Sequence, residues 1–280
     1  MFHFIASTGR TATTFLAAFL DTLDGVTACH EGYPGSDKNA DPILPLINLE
    51  NALCYRKPSA AREVVENKRS PLQIEKALAV YGSHTLVDVA YYNPVIARAL
   101  LQQHPEGRMV AIIRDCAGFV RSATCLEGED PLPVGWPAPE KALTEREKFI
   151  AMGRIKPARG TVEDDAWGHW GAICRNIWLW RETNRILLET VHAFPDRATV
   201  LDFRQLGNNR SAFLGALLDA LSLSRPDNLD ALAAACMDKQ NSKPSGYQIP
   251  APPEWTGEEQ DMLARAQQQI NEMYEHVPTH

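Results

Sequence analysis

The chain has 280 residues, of which 45% are hydrophobic and 22% are charged, and its formal net charge is −7 at pH 7. This length and apolar content are sufficient for one large α/β domain with a substantial core. The negative charge argues against a surface that coats nucleic acid, because such a surface carries a basic footprint. An anionic ligand would therefore be held by a few well-placed cations and backbone N–H groups.

The sequence contains no recognisable targeting or metal-binding motif. Its first residues, Met1–Ala6, lack the basic start and longer apolar stretch of a signal peptide, and no run approaches the ~20 apolar residues of a membrane span. The six cysteines are scattered and form no C-x-x-C pair, which is typical of reduced cytosolic thiols. We therefore expect a cytoplasmic protein that needs neither a membrane segment nor a metal ion. The oligomeric state cannot be read from the sequence.

Five short β-rich runs are predicted to be strands. In chain order they are Phe2–Ala6, Val26–Cys29, Thr85–Val89, Met109–Ile113 and Thr199–Phe203. Several are continuous apolar runs, as expected of parallel strands that are buried on both faces. Helical patterns separate them, including Pro94–Gln103, and a last amphipathic helix is predicted over Gly257–Tyr274. This alternation predicts an α/β fold, a three-layer sandwich with a central, mostly parallel sheet of about five strands.

Two regions interrupt the alternation of strands and helices. Gly32–Pro58 and Glu127–Leu143 are rich in proline and other turn-forming residues, and both are predicted to be long loops. We find no internal repeat and no flexible linker. Residues 1–280 are therefore expected to form a single domain, with helical or loop insertions around 32–80 and 127–165.

One long helical stretch is predicted over Asp164–His192. Its tryptophans recur at helical spacing, which is most often the mark of core packing. A second interpretation is that aromatic residues wall a small-molecule pocket, and the candidates for it are Tyr33, Trp136, Trp167 and Trp170.

The strongest functional signal is the segment Ala6-Ser7-Thr8-Gly9-Arg10-Thr11-Ala12-Thr13-Thr14-Phe15-Leu16. It follows the first predicted strand and opens a helix, so several backbone N–H groups and the positive end of a helix dipole point at one spot. Arg10 adds a fixed positive charge with a forked donor set, and Thr11, Thr13 and Thr14 add hydroxyl donors. The simpler alternative is that Thr13 only caps the helix. Since a cap alone does not require a glycine, an arginine and three hydroxyls together, we predict an anion-binding loop.

The loop differs from the nucleotide-kinase pattern G-x-x-x-x-G-K-[ST], in which a lysine precedes the Ser/Thr that holds magnesium. Gly9-Arg10-Thr11-Ala12-Thr13-Thr14-Phe15-Leu16 instead resembles the 5′-phosphosulfate loop of the sulfotransferase family, whose bacterial members commonly read G-R-S-G-T-T-x-L. Thr11 keeps the hydroxyl of the family's serine, whereas Ala12 stands in place of a glycine. The resemblance implies a P-loop-like topology. It also implies that Gly9, Arg10, Thr11, Ala12, Thr13 and Thr14 bind the phosphosulfate of 3′-phosphoadenylyl sulfate (PAPS).

A second motif lies at the end of the predicted strand Met109–Ile113. There an apolar strand ends in Arg114, and the helix that follows carries Ser122. This resembles the sulfotransferase element R-D-P followed by R-S, in which the first arginine and the serine bind the 3′-phosphate of PAPS. Cys116 replaces the proline of that pattern. The resemblance implies that Arg114 and Ser122 bind the 3′-phosphate, and two separate anion sites in one crevice fit a nucleotide with both 5′ and 3′ phosphates.

A general base is needed to accept the acceptor's proton as the new S–O bond forms. His30 and Glu31 follow the second predicted strand, and sulfotransferases differ in whether this base is His or Glu. We favour Glu31, with His30 as the second candidate. The alternative is that one of the pair only orients a loop.

Several weaker candidates lie elsewhere in the sequence. Asp88 and Asn93 flank a turn at a strand end and could line an acceptor site, although Asn93 could equally cap the next helix. Lys243, with Lys239 and Ser242, resembles the late loop with which sulfotransferases cover the nucleotide.

Taken together, the motifs predict an enzyme, a PAPS-dependent sulfotransferase that releases 3′-phosphoadenosine 5′-phosphate (PAP). Its acceptor would carry a hydroxyl or an amine and would be a small metabolite. Two other functions stay open at this point. One is a P-loop phosphotransferase acting on a small molecule, which would need ATP and magnesium, and the other is a non-catalytic nucleotide-binding module.

Overall fold

A single mixed sheet forms the centre of the molecule in the computed structural model, which describes residues 1–35, 37, 39–126, 153–237 and 249–277. Its strands are β1 (Phe2–Ser7), β2 (Val26–His30), β3 (Tyr33–Pro34), β4 (Thr85–Ala90), β5 (Met109–Ile113) and β6 (Ala198–Asp202), in the spatial order β3-β2-β4-β1-β5-β6. Every neighbouring pair is parallel except β2 and β3, which are antiparallel.

Twelve α-helices are present among the described residues. They are α1 (Thr13–Leu20), α2 (Asn51–Arg56), α3 (Pro58–Lys68), α4 (Pro71–Tyr81), α5 (Asn93–Gln103), α6 (Cys116–Leu126), α7 (Val162–Trp167), α8 (Ala172–Ala193), α9 (Arg204–Asn208), α10 (Arg210–Ala220), α11 (Leu229–Ala235) and α12 (Gly257–Glu275). A 3₁₀ turn at Pro252–Glu254 precedes the last helix. None of the helices in these ranges combines the length and the apolar composition needed to cross a bilayer.

The helices cover both faces of the sheet, because its central strands are apolar on both sides. Every residue of β1, β2 and β4 is buried. One face packs against α1 and α10, and the other packs against α3 and α5. A further apolar cluster joins α6, α8 and α12 around Trp178, which is 2% exposed. Trp167 and Trp170 pack against this cluster, so they belong to the core packing that their spacing predicted.

The predicted fold class is confirmed: helices flank one central, mostly parallel sheet. All five predicted strands are present, within one residue at each end. The sheet has six strands rather than about five, because β3 folds back on β2 as a short hairpin.

Two other predictions need correction. Gly32–Pro58 is not one long loop, since it contains β3, α2 and the first residue of α3. Asp164–His192 is not one helix but α7 and α8, which are separated at residues 168–171. Glycines at 168 and 171 flank this break, and glycine is a poor helix former because its backbone loses the most entropy on folding.

Candidate functional site

The candidate site lies at the carboxyl edge of the sheet, beyond the ends of its parallel strands. β1 occupies the middle of the sheet, with β4 on one side and β5 on the other. The chain crosses from β4 to β5 over this central strand, and ligands of open α/β sheets bind where such a change of side leaves a crevice. The segments that follow β1, β2, β4, β5 and β6 all meet at this edge.

The loop between β1 and α1 has an unusual backbone. Gly9, Arg10 and Ala12 all adopt positive φ, at 79°, 58° and 56°. Only glycine enters this left-handed region without a steric penalty, so Arg10 and Ala12 are held there by their surroundings. Ser7 contributes to that hold, since its hydroxyl accepts hydrogen bonds from the Gly9 amide (3.1 Å) and from the Thr11 hydroxyl (2.7 Å). Thr11 is thus buried against β1.

The amino end of α1 has no side-chain cap. Ala12 occupies the N-cap position, and no side chain there forms a capping hydrogen bond. The alternative in which Thr13 only caps the helix is therefore wrong; the Thr13 hydroxyl lies 3.1 Å from Nε2 of His30 instead. Thr14, next along the helix, is partly exposed. An uncapped helix start presents backbone N–H groups and the positive end of the dipole, which suits an anion.

The loop and the β5–α6 segment are in direct contact. Nε of Arg10 donates a hydrogen bond to Oγ of Ser122 at 3.0 Å, and Nη1 of Arg114 donates to the backbone carbonyl of Arg10 at 2.7 Å. Burial lowers the pKa of Arg114, while the nearby carboxylate of Asp115 acts in the opposite direction. Both guanidinium groups therefore lie where the loop meets the β5–α6 segment, at the carboxyl edge of the sheet.

His30 and Glu31 lie at the same edge of the sheet, at the end of β2. The His30 side chain is almost fully buried, and its Nε2 lies 3.9 Å from Oε1 of Glu31, whose side chain is 19% exposed. Glu31 and Gly32 form the two-residue turn into β3, both with positive φ (56° and 89°). Burial raises the pKa of Tyr91 to about 12, and the negative charge of Glu31 adds to that rise. Glu31 thus acts electrostatically on Tyr91, which follows β4.

A cavity opens beside the loop. It encloses about 320 Å³ of space, open solvent included. Its lining includes the polar side chains Thr8, Asn51, Tyr91 and Arg154 and the apolar side chains Ile155 and Leu179. Asn51 is 5% exposed and donates from Nδ2 to the backbone carbonyl of Gly153 at 2.8 Å. Sequence reasoning missed Asn51 and Arg154 because no motif marks them; they come together through tertiary contacts.

Tyr33 lies in β3, where it is half-buried, and it is not part of the cavity lining. The other remaining sequence candidates fall into two groups. Asp88 and Asn93 are completely buried: Asp88 forms an ion pair with the equally buried Arg69 (3.0 Å), and Asn93 donates to the carbonyls of Ile5 and Asp88. They therefore hold the sheet edge together instead of facing an acceptor. The second group, Trp136, Lys239, Ser242 and Lys243, lies outside the described residues.

Comparison with known proteins gives structural neighbours only. No protein-family model matches the chain, and no curated protein matches it. The sulfotransferase domain from the curacin biosynthetic pathway aligns over 99% of this chain and 98% of its own, with 12% identity and a TM-score of 0.48. The sulfotransferase STF1 from Mycobacterium tuberculosis aligns over 96% and 75%, with 12% identity and a TM-score of 0.47. A sulfotransferase from Alicyclobacillus acidocaldarius aligns over 85% and 92%, with 12% identity and a TM-score of 0.45.

The chain is thus similar in fold to solved sulfotransferases. Because the three TM-scores are below 0.5 and each identity is 12%, this likeness assigns neither a ligand nor a reaction. Both have to be argued from the side chains at the carboxyl edge of the sheet.

Proposed function

We propose that this protein is a PAPS-dependent sulfotransferase. The observation that carries the proposal is the pair of contacts between its two anion-binding motifs, from Arg10 to Ser122 and from Arg114 to the Arg10 carbonyl. These contacts support a nucleotide site in which a glycine loop, an uncapped helix start and two guanidinium groups would act together. A nucleotide with phosphates at both its 5′ and 3′ positions matches this distribution of donors better than a ligand with a single anionic group.

The residues of this site divide into two groups under this proposal. The loop from Gly9 to Thr14 would take the 5′-phosphosulfate, with Arg10 supplying the fixed charge. Arg114 and Ser122 would take the 3′-phosphate. Lys243, which lies outside the described residues, remains a proposed contact to the nucleotide on the family resemblance alone.

The proposed reaction is an in-line transfer. The acceptor oxygen attacks sulfur and forms a new S–O bond, while its proton passes to a base. The bond from sulfur to the phosphate oxygen breaks, and the electron pair stays on that oxygen as PAP leaves. Arg10 and the amides at the start of α1 would stabilise this charge, so the proposal calls on no metal ion.

Glu31 is the proposed base, and two observations favour it over His30. The Glu31 side chain is partly exposed, at 19%. His30 is 3% exposed, and its Nε2 is already engaged with Thr13. A base has to reach the proton that it removes, so the more accessible group is the better candidate. His30 would then hold Thr13 and the start of α1.

The acceptor would occupy the cavity beside Thr8 and Tyr91. The apolar wall of this cavity includes Ile155 and Leu179. We therefore propose a small acceptor with an apolar body and a reactive hydroxyl or amine. The single domain over 1–280 and the cytoplasmic location stay predictions.

A ligand panel tests the proposal. Thermal unfolding is measured with PAP, PAPS, ATP and GTP, each with and without Mg²⁺, and turnover of labelled PAPS is then measured with a panel of small alcohols and amines. We expect stabilisation by PAP and PAPS that is independent of Mg²⁺, together with sulfuryl transfer. Stabilisation only by ATP with Mg²⁺ would indicate a phosphotransferase. Substitution of both His30 and Glu31 gives a further test. If the doubly substituted protein binds PAP as the unchanged protein does and neither protein transfers sulfuryl groups, the chain is a non-catalytic nucleotide-binding module.

A further inference from the structure

We infer that Phe203 is a positioning residue that fixes the guanidinium of Arg114 for recognition of the 3′-phosphate. The inference rests on the proposed function, because it concerns how Arg114 is oriented in the proposed 3′-phosphate site. Phe203 belongs to neither sequence motif of the site.

Strand register brings the two residues together. β5 and β6 are parallel neighbours in which Ile113 pairs with Asp202, so the next residues, Arg114 and Phe203, leave the sheet side by side. The amide of Phe203 donates to the Ile113 carbonyl at 2.9 Å, which extends the strand pairing by one step. As a result, Cζ of Arg114 lies 5.1 Å from the centroid of the Phe203 ring, within the range of a cation–π interaction.

The backbone of Arg114 is fixed as well. The indole Nε1 of Trp180, on α8, donates to the Arg114 carbonyl at 2.7 Å. The Arg114 side chain is anchored at two points: Nη1 is bonded to the Arg10 carbonyl, and the guanidinium lies over the Phe203 ring.

The carboxylate next to Arg114 in the chain is near enough to act on the pKa of Arg114, but it is not a hydrogen-bond partner of the guanidinium. Oδ2 of Asp115 accepts a hydrogen bond from the Gly118 amide at the start of α6. Among the described residues, Arg114 forms no ion pair with a carboxylate. A guanidinium that is oriented by a ring and a carbonyl keeps its full charge and its remaining N–H donors for a ligand. Had a carboxylate oriented it, much of that charge would be neutralised before the phosphate arrived.

The consequence is selectivity for a nucleotide that carries the 3′-phosphate. PAP and adenosine 5′-monophosphate (AMP) differ only in this group. Losing the ring should release Arg114 and weaken PAP binding, with little effect on AMP. If Phe203 had only a general structural role, its loss would weaken the binding of PAP and of AMP by the same factor.

The test compares the dissociation constants of PAP and AMP, measured by titration calorimetry, in the full-length protein and three variants. Phe203→Leu removes the ring but keeps an apolar side chain, and Phe203→Tyr restores the ring. Phe194→Leu is the matched control, because Phe194 makes a similar contact with Arg197 at 5.2 Å outside the candidate site. Thermal unfolding of each variant establishes that it is folded.

We expect the unchanged protein to bind PAP at least about tenfold more tightly than AMP. In Phe203→Leu this preference should fall by about 3- to 30-fold, the range of a partly buried cation–π contact. It should be restored in Phe203→Tyr and unchanged in Phe194→Leu. A preference that survives in Phe203→Leu, or an equal loss for PAP and AMP, overturns the inference and leaves the proposed function standing. Failure of the unchanged protein to bind PAP overturns the proposed function, and the inference with it.

Discussion

Nε of Arg10 lies 3.0 Å from Oγ of Ser122, although 112 residues separate them in the chain. The contact joins the loop after the central strand to the helix after its neighbour, and the hydrogen bond from Arg114 to the Arg10 carbonyl makes a second link. The two motifs therefore form one cluster, and we expect a substitution in one motif to alter the function of the other.

Substitution of the two arginines should separate catalysis from binding. Arg10→Ala removes a preorganised charge at the leaving oxygen, so kcat should fall by about 10²- to 10³-fold. Arg114→Ala should chiefly weaken PAP binding, by about 10- to 100-fold, because it removes a charge-assisted hydrogen bond. It should also lower kcat slightly, since the Arg10 carbonyl loses its partner. Steady-state kinetics with labelled PAPS and calorimetry with PAP measure the two effects. Unimpaired kinetics in both variants would remove the assignment.

Glu31 should show opposing effects on stability and activity. It has a φ of 56°, a conformation that is unfavourable for a residue with a Cβ atom. Glu31→Gly should therefore raise the free energy of unfolding by about 1 kcal/mol, while turnover falls by about 10²- to 10⁴-fold through loss of the base. Glu31→Gln is the control: it removes the base and keeps the backbone strain, so only turnover should fall. Denaturant unfolding and labelled-PAPS assays are the measurements, and full turnover in both variants would exclude Glu31 as the base.

Ala12 is strained in the same way at the start of α1, where the sulfotransferase pattern has glycine. Ala12→Gly should raise the free energy of unfolding by about 1 kcal/mol, and PAP binding should be retained. The same substitution at Ala18, inside α1, should instead lower the free energy of unfolding by about 0.5–1 kcal/mol. Equal destabilisation by the two changes, measured by denaturant unfolding, would show that the left-handed conformation of Ala12 carries no strain.

His3 should make the protein sensitive to acid. Burial is the main cause that lowers its pKa from the ordinary 6.5 to about 4, with the charges of the N-terminus and Arg108 adding to it. The unfolded chain therefore takes up a proton at higher pH than the folded protein, so stability is lost as pH falls from about 6.5 to about 4. The loss from this one group should reach about 3 kcal/mol at pH 4.

The acid loss can be assigned to His3 by substitution. Nδ1 of His3 accepts a hydrogen bond from the Arg108 amide at 3.0 Å, and a glutamine at this position retains an acceptor. Between pH 6.5 and 4 the free energy of unfolding should decrease by about 3 kcal/mol less in His3→Gln than in the unchanged chain. An identical pH profile in both proteins, measured by denaturant unfolding at four or five pH values, would refute the prediction.

The parallel strands were predictable because buried strands carry a signal in local sequence. β1, β2, β4, β5 and β6 consist mainly of apolar and β-branched residues, and the predicted bounds of each agree with the structure to within one residue at either end. β3 was missed because two residues carry no periodicity, and their pairing depends on the turn at Glu31 and Gly32. The break between α7 and α8 was missed because the helical spacing of the tryptophans continues on both sides of it.

Some features of the candidate site were also predictable from local sequence, and others were not. Sequence alone determined the glycine loop with Arg10 after a buried strand, and Arg114 with Ser122 after another, since each group is contiguous or nearly so in the chain. Only the tertiary structure decided that these groups touch, that Phe203 lies over Arg114, and that Asp88 is used up in a buried ion pair with Arg69. The physical reason is that strand register and the packing of distant helices fix such contacts, and neither leaves a mark in the local sequence.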